Sequence, residues 1–328
     1  SIKKMRSVVY NRYGGPDVLR LMQTGIPEPS SGEVLVRVIS SSVTAGDWHM
    51  RKADPFMIRF VNGWFRPKMT VLGQEFFGEV ESVGSKVSRL KTGDLIFGST
   101  GMRTGAHSEY IILDEKSVVY RVSEKDASPH LATVPIGAMT AHYFLKKVGL
   151  TSGDRVLING ASGSVGSYAV QIAKAKGAVV TGVCSTANVE MVKQLGAHGV
   201  IDYKEIDITL LQEIYDLIFD TVGNLSFGAV RHNLTSNGAF LSTAFKFRLM
   251  LSMMMNRIRN GQRAFTGVTE ETQDALDELA LMVLDGTLKP VIDREYSMEE
   301  IREAHAYAES GRKRGNLLIN ITGDTDHV

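Results

Sequence analysis

One stretch, 156–166 (Val-Leu-Ile-Asn-Gly-Ala-Ser-Gly-Ser-Val-Gly), constrains the fold of this chain more than any other. Apolar, β-favouring residues run into a turn with glycines at 160, 163 and 166, and a helical stripe follows at Val165, Ala169, Ile172 and Ala173. A strand, a glycine turn and an amphipathic helix in that order call for a second strand parallel to the first, reached once the helix has carried the chain back. The run 179–184 lies at the right distance to be it. Further runs at 199–202, 217–222 and 239–242, with a last one at 264–268, keep the same rhythm, so 127–268 predicts a doubly wound parallel sheet of the Rossmann kind.

The chain before it is built differently. From Arg6 to about Lys125, short β-type runs at 34–40, 77–83, 94–98 and 108–113 are broken by Gly and Pro, which predicts a mostly antiparallel sheet or barrel. After 268 a helix is expected over 270–284, stopped by Gly286, then a helix near 298–308 and a strand at 317–321. The expected division is therefore 1–126, with 269–328 returning to it, and 127–268 as an α/β domain. A length of 328 residues agrees with two cores, since single cores stop growing near about 250 residues.

Charge and cysteine content exclude some classes. With 37 basic against 36 acidic side chains, bulk charge gives no support to nucleic-acid binding. A lone cysteine, Cys184, excludes an intrachain disulfide and any zinc site built from cysteine pairs, and the cytoplasm is the expected location. The most membrane-like window, 244–255, contains Lys246 and Arg248 and is too short to span, so no membrane partner is expected. It predicts a surface or pocket-lining helix instead.

The glycine turn carries the chemistry. Gly163 lets backbone approach a pyrophosphate, Gly166 lets helix and strand close together, and the helix N-terminus directs amides at the anion, so Gly160, Ala161, Ser162, Gly163, Val165 and Gly166 are the candidate dinucleotide cradle. A carboxylate at the end of the second strand would accept the ribose hydroxyls of NAD, yet no Asp or Glu occurs between Arg155 and Val189. Ser185, Thr186 and Asn188 stand there instead, with Tyr203 and Lys204 after the third strand, and these groups suit a 2′-phosphate. NADPH is the expected cofactor. Helix capping is the other use of Ser185, Thr186 and Asn188. Arg312, Lys313 and Arg314 are further candidates for charge pairing, with a solvated basic surface as their expected fate.

Taken with the motifs Tyr13-Gly14-Gly15-Pro16, Gly73-Gln74-Glu75-Phe76, Gly93-Asp94, and Gly105-Ala106-His107-Ser108-Glu109-Tyr110, the chain resembles the medium-chain dehydrogenase/reductases, in the zinc-free quinone oxidoreductase-like branch. The resemblance covers nearly the whole chain. It implies a GroES-like catalytic domain made of both chain ends, a Rossmann domain, an active site in the cleft between them, and a homodimer or homotetramer. Where zinc alcohol dehydrogenases carry Gly-His-Glu this chain has Gly73-Gln74-Glu75, and for their first Cys-His pair it has Thr44-Ala45. No metal site is expected.

Hydride delivery from NADPH to an already electron-poor carbon, in a quinone or an α,β-unsaturated carbonyl compound, is then the implied reaction. By the resemblance, Thr44 orients substrate, His49 donates a proton or stabilises an oxyanion, Thr140 lies near the nicotinamide and Val222 beside the adenosine. For His49 the alternative is a satisfied histidine packed on Trp48 and Trp64; Asp47 is expected to be structural. Phe56, Phe60, Trp64, Phe65 and 250–255 supply either an apolar pocket or ordinary core and subunit contact. Two rival functions stay open: a metal-free carbonyl reductase or alcohol dehydrogenase, and a non-catalytic NADPH-sensing binding protein.

Overall fold

Alternation of apolar and polar residues in the first third of the chain, and continuous apolar runs in the middle, give sheets of two kinds. The computed structural model describes residues 3–244, 247–256 and 261–322. In chain order its elements begin with β1 (Lys4–Val9), β2 (Arg20–Gly25), β3 (Glu33–Ser42), α1 (Ala45–Lys52), α2 (Ile58–Asn62), β4 (Glu75–Val83), β5 (Leu95–Ser99), β6 (Tyr110–Asp114) and β7 (Val119–Val122). There follow α3 (Pro135–Lys147), β8 (Arg155–Asn159), α4 (Ser164–Ala175), β9 (Val179–Cys184), α5 (Val189–Gln194), β10 (Gly199–Asp202), β11 (Tyr215–Asp220), α6 (Phe227–Val230) and β12 (Leu234–Ser242). The last are α7 (Phe247–Asn256), β13 (Arg263–Phe265), α8 (Gln273–Leu284), β14 (Ile292–Ser297), α9 (Ile301–Glu309) and β15 (Asn316–Asn320).

Two compact units divide the chain: Ser1–Ile136, Thr272–Ala280 and Ile292–Val328 make one, Gly137–Glu271 and Leu281–Val291 the other. In the first, a sheet runs β14-β15-β3-β4-β5-β7, with β6 paired to β3. Every pairing in it is antiparallel except β14 with β15. Val34, Val36 and Val38 of β3 face a core shared with Phe76, Ile96 and Leu113, closed from the tail by Ile301, Leu317 and Ile319. That tail contribution ties 292–322 to this unit, whereas 269–271 and 281–291, expected to return with it, fall in the second. The break falls at 136/137 and not at 126/127, because the single-turn helix Pro129–Thr133 buries Leu131 and Ala132 and Ser40 donates to Pro129 O at 2.8 Å. The strands β1, β2 and β14 carry too few alternating apolar residues to be legible: β2 is mostly exposed, and β14 reads Ile-Asp-Arg-Glu-Tyr-Ser.

The second unit holds a six-stranded parallel sheet in the order β10-β9-β8-β11-β12-β13. From β8 the chain winds outward to β9 and β10, then returns to the other side of β8 with β11, so the order reverses between β8 and β11. Ligands of such sheets bind outside the strand ends at that reversal. Ile158, Val180, Val183, Ile218 and Phe240 are fully buried or nearly so, as strands covered on both faces must be. The window 244–255 becomes α7, on which Met250, Leu251, Met254 and Met255 are exposed while Met253 Sδ accepts the Thr266 amide; Lys246 and the side chain of Arg248 lie outside the described residues.

Candidate active site

The glycine turn between β8 and α4 is a backbone structure that few other residues could form. Gly160 has φ +78°, and a Cβ there would lie 2.5 Å from Thr221 Oγ1. A Cβ on Gly166 would come within 1.9 Å of Gly160 O, so helix and turn touch backbone to backbone. Beyond Gly163 the space is open, with Gly160 O at 3.6 Å the nearest atom to an added Cβ. Amides of Gly160 and Ala161 both donate to Val183 O, tying the turn to β9. α4 opens on Gly163 with no side-chain cap from that residue, and the amide end of the helix can take an anion. Open space, a helix start and a close-packed glycine contact fit a dinucleotide pyrophosphate.

A buried carboxylate that the sequence reading missed shapes the opposite side of this turn. Asp220, at the end of β11, accepts the amides of Val222 (3.0 Å), Gly223 (2.9 Å) and Leu225 (2.9 Å), and Asn159 Nδ2 at 3.0 Å. The strand accordingly stops at Asp220 and not at 222, and Val222 stands exposed after it. Aspartate after an apolar strand, followed by Thr-Val-Gly, was the available signal.

At the ends of β9 and β10 the structure gathers Ser162, Ser185, Thr186, Asn188, Tyr203 and Lys204. Asn188 Nδ2 donates to Ser162 Oγ at 3.3 Å and to Ser185 Oγ at 3.2 Å, while its Oδ1 is buried with no partner among the described residues. Ser185, Thr186 and Asn188 also open a single turn, Thr186–Asn188, before α5, yet neither Ser185 nor Asn188 makes a side-chain capping bond. A carboxylate lies here after all: Asp202, register-paired with Cys184, accepts the Thr186 hydroxyl on one oxygen and the Lys204 amide on the other at 2.9 Å. It arrives from β10, outside the 155–189 window in which no acid occurs. Burial and the Asp202 charge push the Cys184 thiol up to about 11, so it stays protonated. Thr140, on α3, faces Thr269 Oγ1 at 3.4 Å. Gly137 of the same helix abuts Ser164 and Tyr168 of α4, which sets α3 against the start of the cradle helix.

The first unit collects its own polar cluster around α1. Thr44 caps that helix: its Oγ1 accepts the Asp47 amide, and its own amide donates to Asp47 Oδ2. The Thr44 hydroxyl lies 2.6 Å from Gln74 Oε1, which it can reach as donor. Asp47 is fully buried and also accepts the Gly73 amide at 2.9 Å, a structural part as expected. His49 is half-buried, stacked on Trp48 at 3.8 Å, with Nδ1 2.6 Å from Asp54 O. A carbonyl only accepts, so Nδ1 carries the proton and Nε2 is the free position.

Glu75, one residue on, is 1% exposed. It accepts the Ser42 hydroxyl at 2.5 Å and the Ile136 amide at 2.7 Å, and desolvation pushes its carboxyl up to about 8. Lys313 counters it. Half-buried, and not on the solvated surface expected for 312–314, it donates to Gly315 O at 2.8 Å and is lowered to about 8 by desolvation against the pull of Glu75. His107 and His305 are fully buried, their rings 5.3 Å apart and edge to face. His107 Nε2 donates to Ser42 O and His305 Nδ1 accepts from Arg51, which leaves a bare acceptor, His107 Nδ1, near a bare donor, His305 Nε2. Arg51 in turn pairs with Glu309.

Zinc does not fit this donor set. Among the described residues no group of three or more His, Cys, Asp and Glu side chains could hold a metal ion. Gln74 and Thr44 offer a neutral amide and a hydroxyl, poor ligands beside imidazole and thiolate.

Residues 30–124 match the model of the alcohol dehydrogenase GroES-like domain, and 195–319 that of the zinc-binding dehydrogenases. A chloroplastic quinone oxidoreductase of Triphysaria versicolor is 31% identical over 335 residues, covering 97% of this chain and 98% of that one. The chain belongs to the medium-chain dehydrogenase/reductase superfamily, among its quinone oxidoreductase-like members. An NADPH-dependent alkenal/one oxidoreductase of Arabidopsis thaliana is 27% identical, over 97% of this chain and 80% of its own. The quinone oxidoreductase structure from Coxiella burnetii superposes with a TM-score of 0.89 at 27% identity, over 98% of this chain and all of that one. As a medium-chain dehydrogenase/reductase the protein is an oxidoreductase that works with a nicotinamide cofactor, on a GroES-like plus Rossmann fold.

Proposed function

We propose that this enzyme reduces quinones and α,β-unsaturated carbonyl compounds with NADPH and without a metal ion. The pairing of Thr44 Oγ1 with Gln74 Oε1 carries the metal-free part, because these two side chains, at the positions of zinc ligands in zinc-using members, bond to each other and offer neither imidazole nor thiolate. Relatives whose names specify a quinone and an alkenal/one support the two substrate classes. Support for the phosphorylated cofactor comes from the donor groups of Ser185, Thr186 and Asn188 with the Lys204 ammonium; the unpartnered buried Asn188 Oδ1 is an acceptor that a ribose hydroxyl of either cofactor would satisfy.

When bound, the reduced nicotinamide supplies a hydride to an electron-poor carbon. Gly160, Ala161, Ser162, Gly163, Val165 and Gly166 would hold the pyrophosphate, and Ser185, Thr186, Asn188, Tyr203 and Lys204 the phosphorylated ribose, with Val222 on the adenosine side and Thr140 on the side of the ring. Gln74 Nε2, its amide steadied by Thr44, donates to the acceptor oxygen, where each well-placed donor contributes about 3 kcal/mol. His49 holds one proton at Nδ1 against Asp54 O and in its imidazolium form delivers another from Nε2.

Asp202 favours a second reading, a preference for NADH, since its carboxylate stands beside the ribose groups. Oxidation of NADPH and of NADH, followed with one quinone and one enone after exhaustive chelation, separates these. The expected result is chelator-resistant turnover, faster with NADPH, and a saturated ketone from the enone. Turnover restored only by Zn²⁺, an allylic alcohol product, or faster turnover with NADH would each overturn the corresponding part.

A further inference from the structure

Between α1 and β4 the chain displays large apolar side chains instead of burying them. Phe65 is 89% exposed, Phe60 71% and Met57 62%, and Phe56, Val61 and Trp64 are exposed beside them. The surface is ordered. Phe56 and Phe60 meet Trp64 edge-on at 5.1 and 5.2 Å, and Arg59 lies over the rings of Tyr13 at 4.7 Å and Phe56 at 5.4 Å. From beneath, buried Asn62 donates to Tyr10 Oη and accepts the Met69 amide, and the Tyr13 hydroxyl donates to Gly63 O at 2.7 Å. A contiguous exposed patch of this kind marks an interaction site.

Charge decides what the patch meets. Across 51–68 stand Arg51, Lys52, Arg59, Arg66 and Lys68 against one acid, Asp54. Arg51 and Lys52 are taken up by Glu309, while Arg66 and Lys68 are exposed at the rim of the rings. A second copy docked face to face would add the same cations to the contact and no acid beyond a second Asp54, because a twofold contact repeats the same surface. An anionic lipid surface meets both halves of the patch: aromatic rings settle at the headgroup level and cations reach lipid phosphates. We infer that 56–68 is a peripheral docking face for anionic membranes. No helix among the described residues is long and apolar enough to span a bilayer, so the contact is adsorption at the surface.

Cosedimentation of the full chain with phosphatidylcholine vesicles, with and without phosphatidylglycerol, tests it. The chain should pellet with the anionic vesicles and be released by salt. Arg66→Glu/Lys68→Glu should weaken that binding by ten-fold or more, since each cation near such a surface contributes about five-fold. Phe60→Ser/Phe65→Ser should abolish it with the melting temperature unchanged, the rings being solvent-exposed already. A chain that stays in the supernatant with anionic vesicles overturns the inference, as does vesicle binding indifferent to both double variants. So does a mass that falls from dimer to monomer in Phe60→Ser/Phe65→Ser while vesicles capture nothing, which would make a second copy the occupant.

Discussion

Glu75 and His305 show how single side chains set the pH response. Glu75 is raised from 4.5 to about 8 by burial, so between those values the folded chain holds a proton that the unfolded chain has lost. Stability attributable to it is full below pH 4.5 and falls as pH rises to about 8. His305 is lowered well below 6.5 by burial beside His107 and Arg51, so its contribution is full above pH 6.5 and falls as pH drops below that. Glu75→Gln, which keeps an acceptor for the Ile136 amide, should gain stability over the parent progressively from pH 5 to 8. His305→Asn, which keeps an acceptor for Arg51, should flatten the acid limb. Urea titrations at stepped pH measure both, with slopes of up to about 1.4 kcal/mol per pH unit for one proton. A parallel offset of the variant and parent curves would refute the assignment.

At the scale of elements, the β8-turn-α4 unit was legible because periodicity changes there from a strand's to a helix's within a few residues, and only glycine tolerates the geometry between. Gly166→Ala tests this directly. Its Cβ would meet Gly160 O at 1.9 Å, so α4 must move from the strand. Cofactor affinity should drop by ten-fold or more and the melting temperature should fall, read by fluorescence titration and thermal unfolding; unaltered affinity would show that the close approach is dispensable. Asp202 and Asp220 were not legible, for a physical reason. Strand pairing places Asp202 opposite Cys184, and four convergent donors make Asp220 a bracket, relations that exist only once the sheet has formed. The polar strands β2 and β14 escaped notice for lack of an alternating pattern.

On the scale of the whole molecule, the two sheet types follow from the two rhythms of the sequence, and the return of the tail follows from apolar residues at 317–321 that need a core. What could not be foreseen is which polar residues would be taken inside. Lys313 lies between two other cations in sequence, yet it is half-buried and feels the charge of Glu75 while Arg312 and Arg314 stay exposed. Binding of NADPH to the second unit should raise the apparent stability of that unit's sheet by mass action, about 2.7 kcal/mol at a hundred-fold excess over Kd. Hydrogen exchange across β8 and β11 should slow accordingly, and unchanged exchange at saturating NADPH would speak against the cradle.

The bracket formed by Asp220, with Asp202 across the sheet, has a bearing on capture. A polyphosphate approaching the strand ends comes up to the half-buried carboxylate of Asp202, while Asp220 lies fully buried behind the turn with four donors on its oxygens. Its pull must come from short-ranged dipoles and the neighbouring Lys204, not from a broad positive field. Recognition in this enzyme is therefore a matter of contact, and rising ionic strength should slow its encounter with the nucleotide far less than it would for a protein that steers its ligand from a distance.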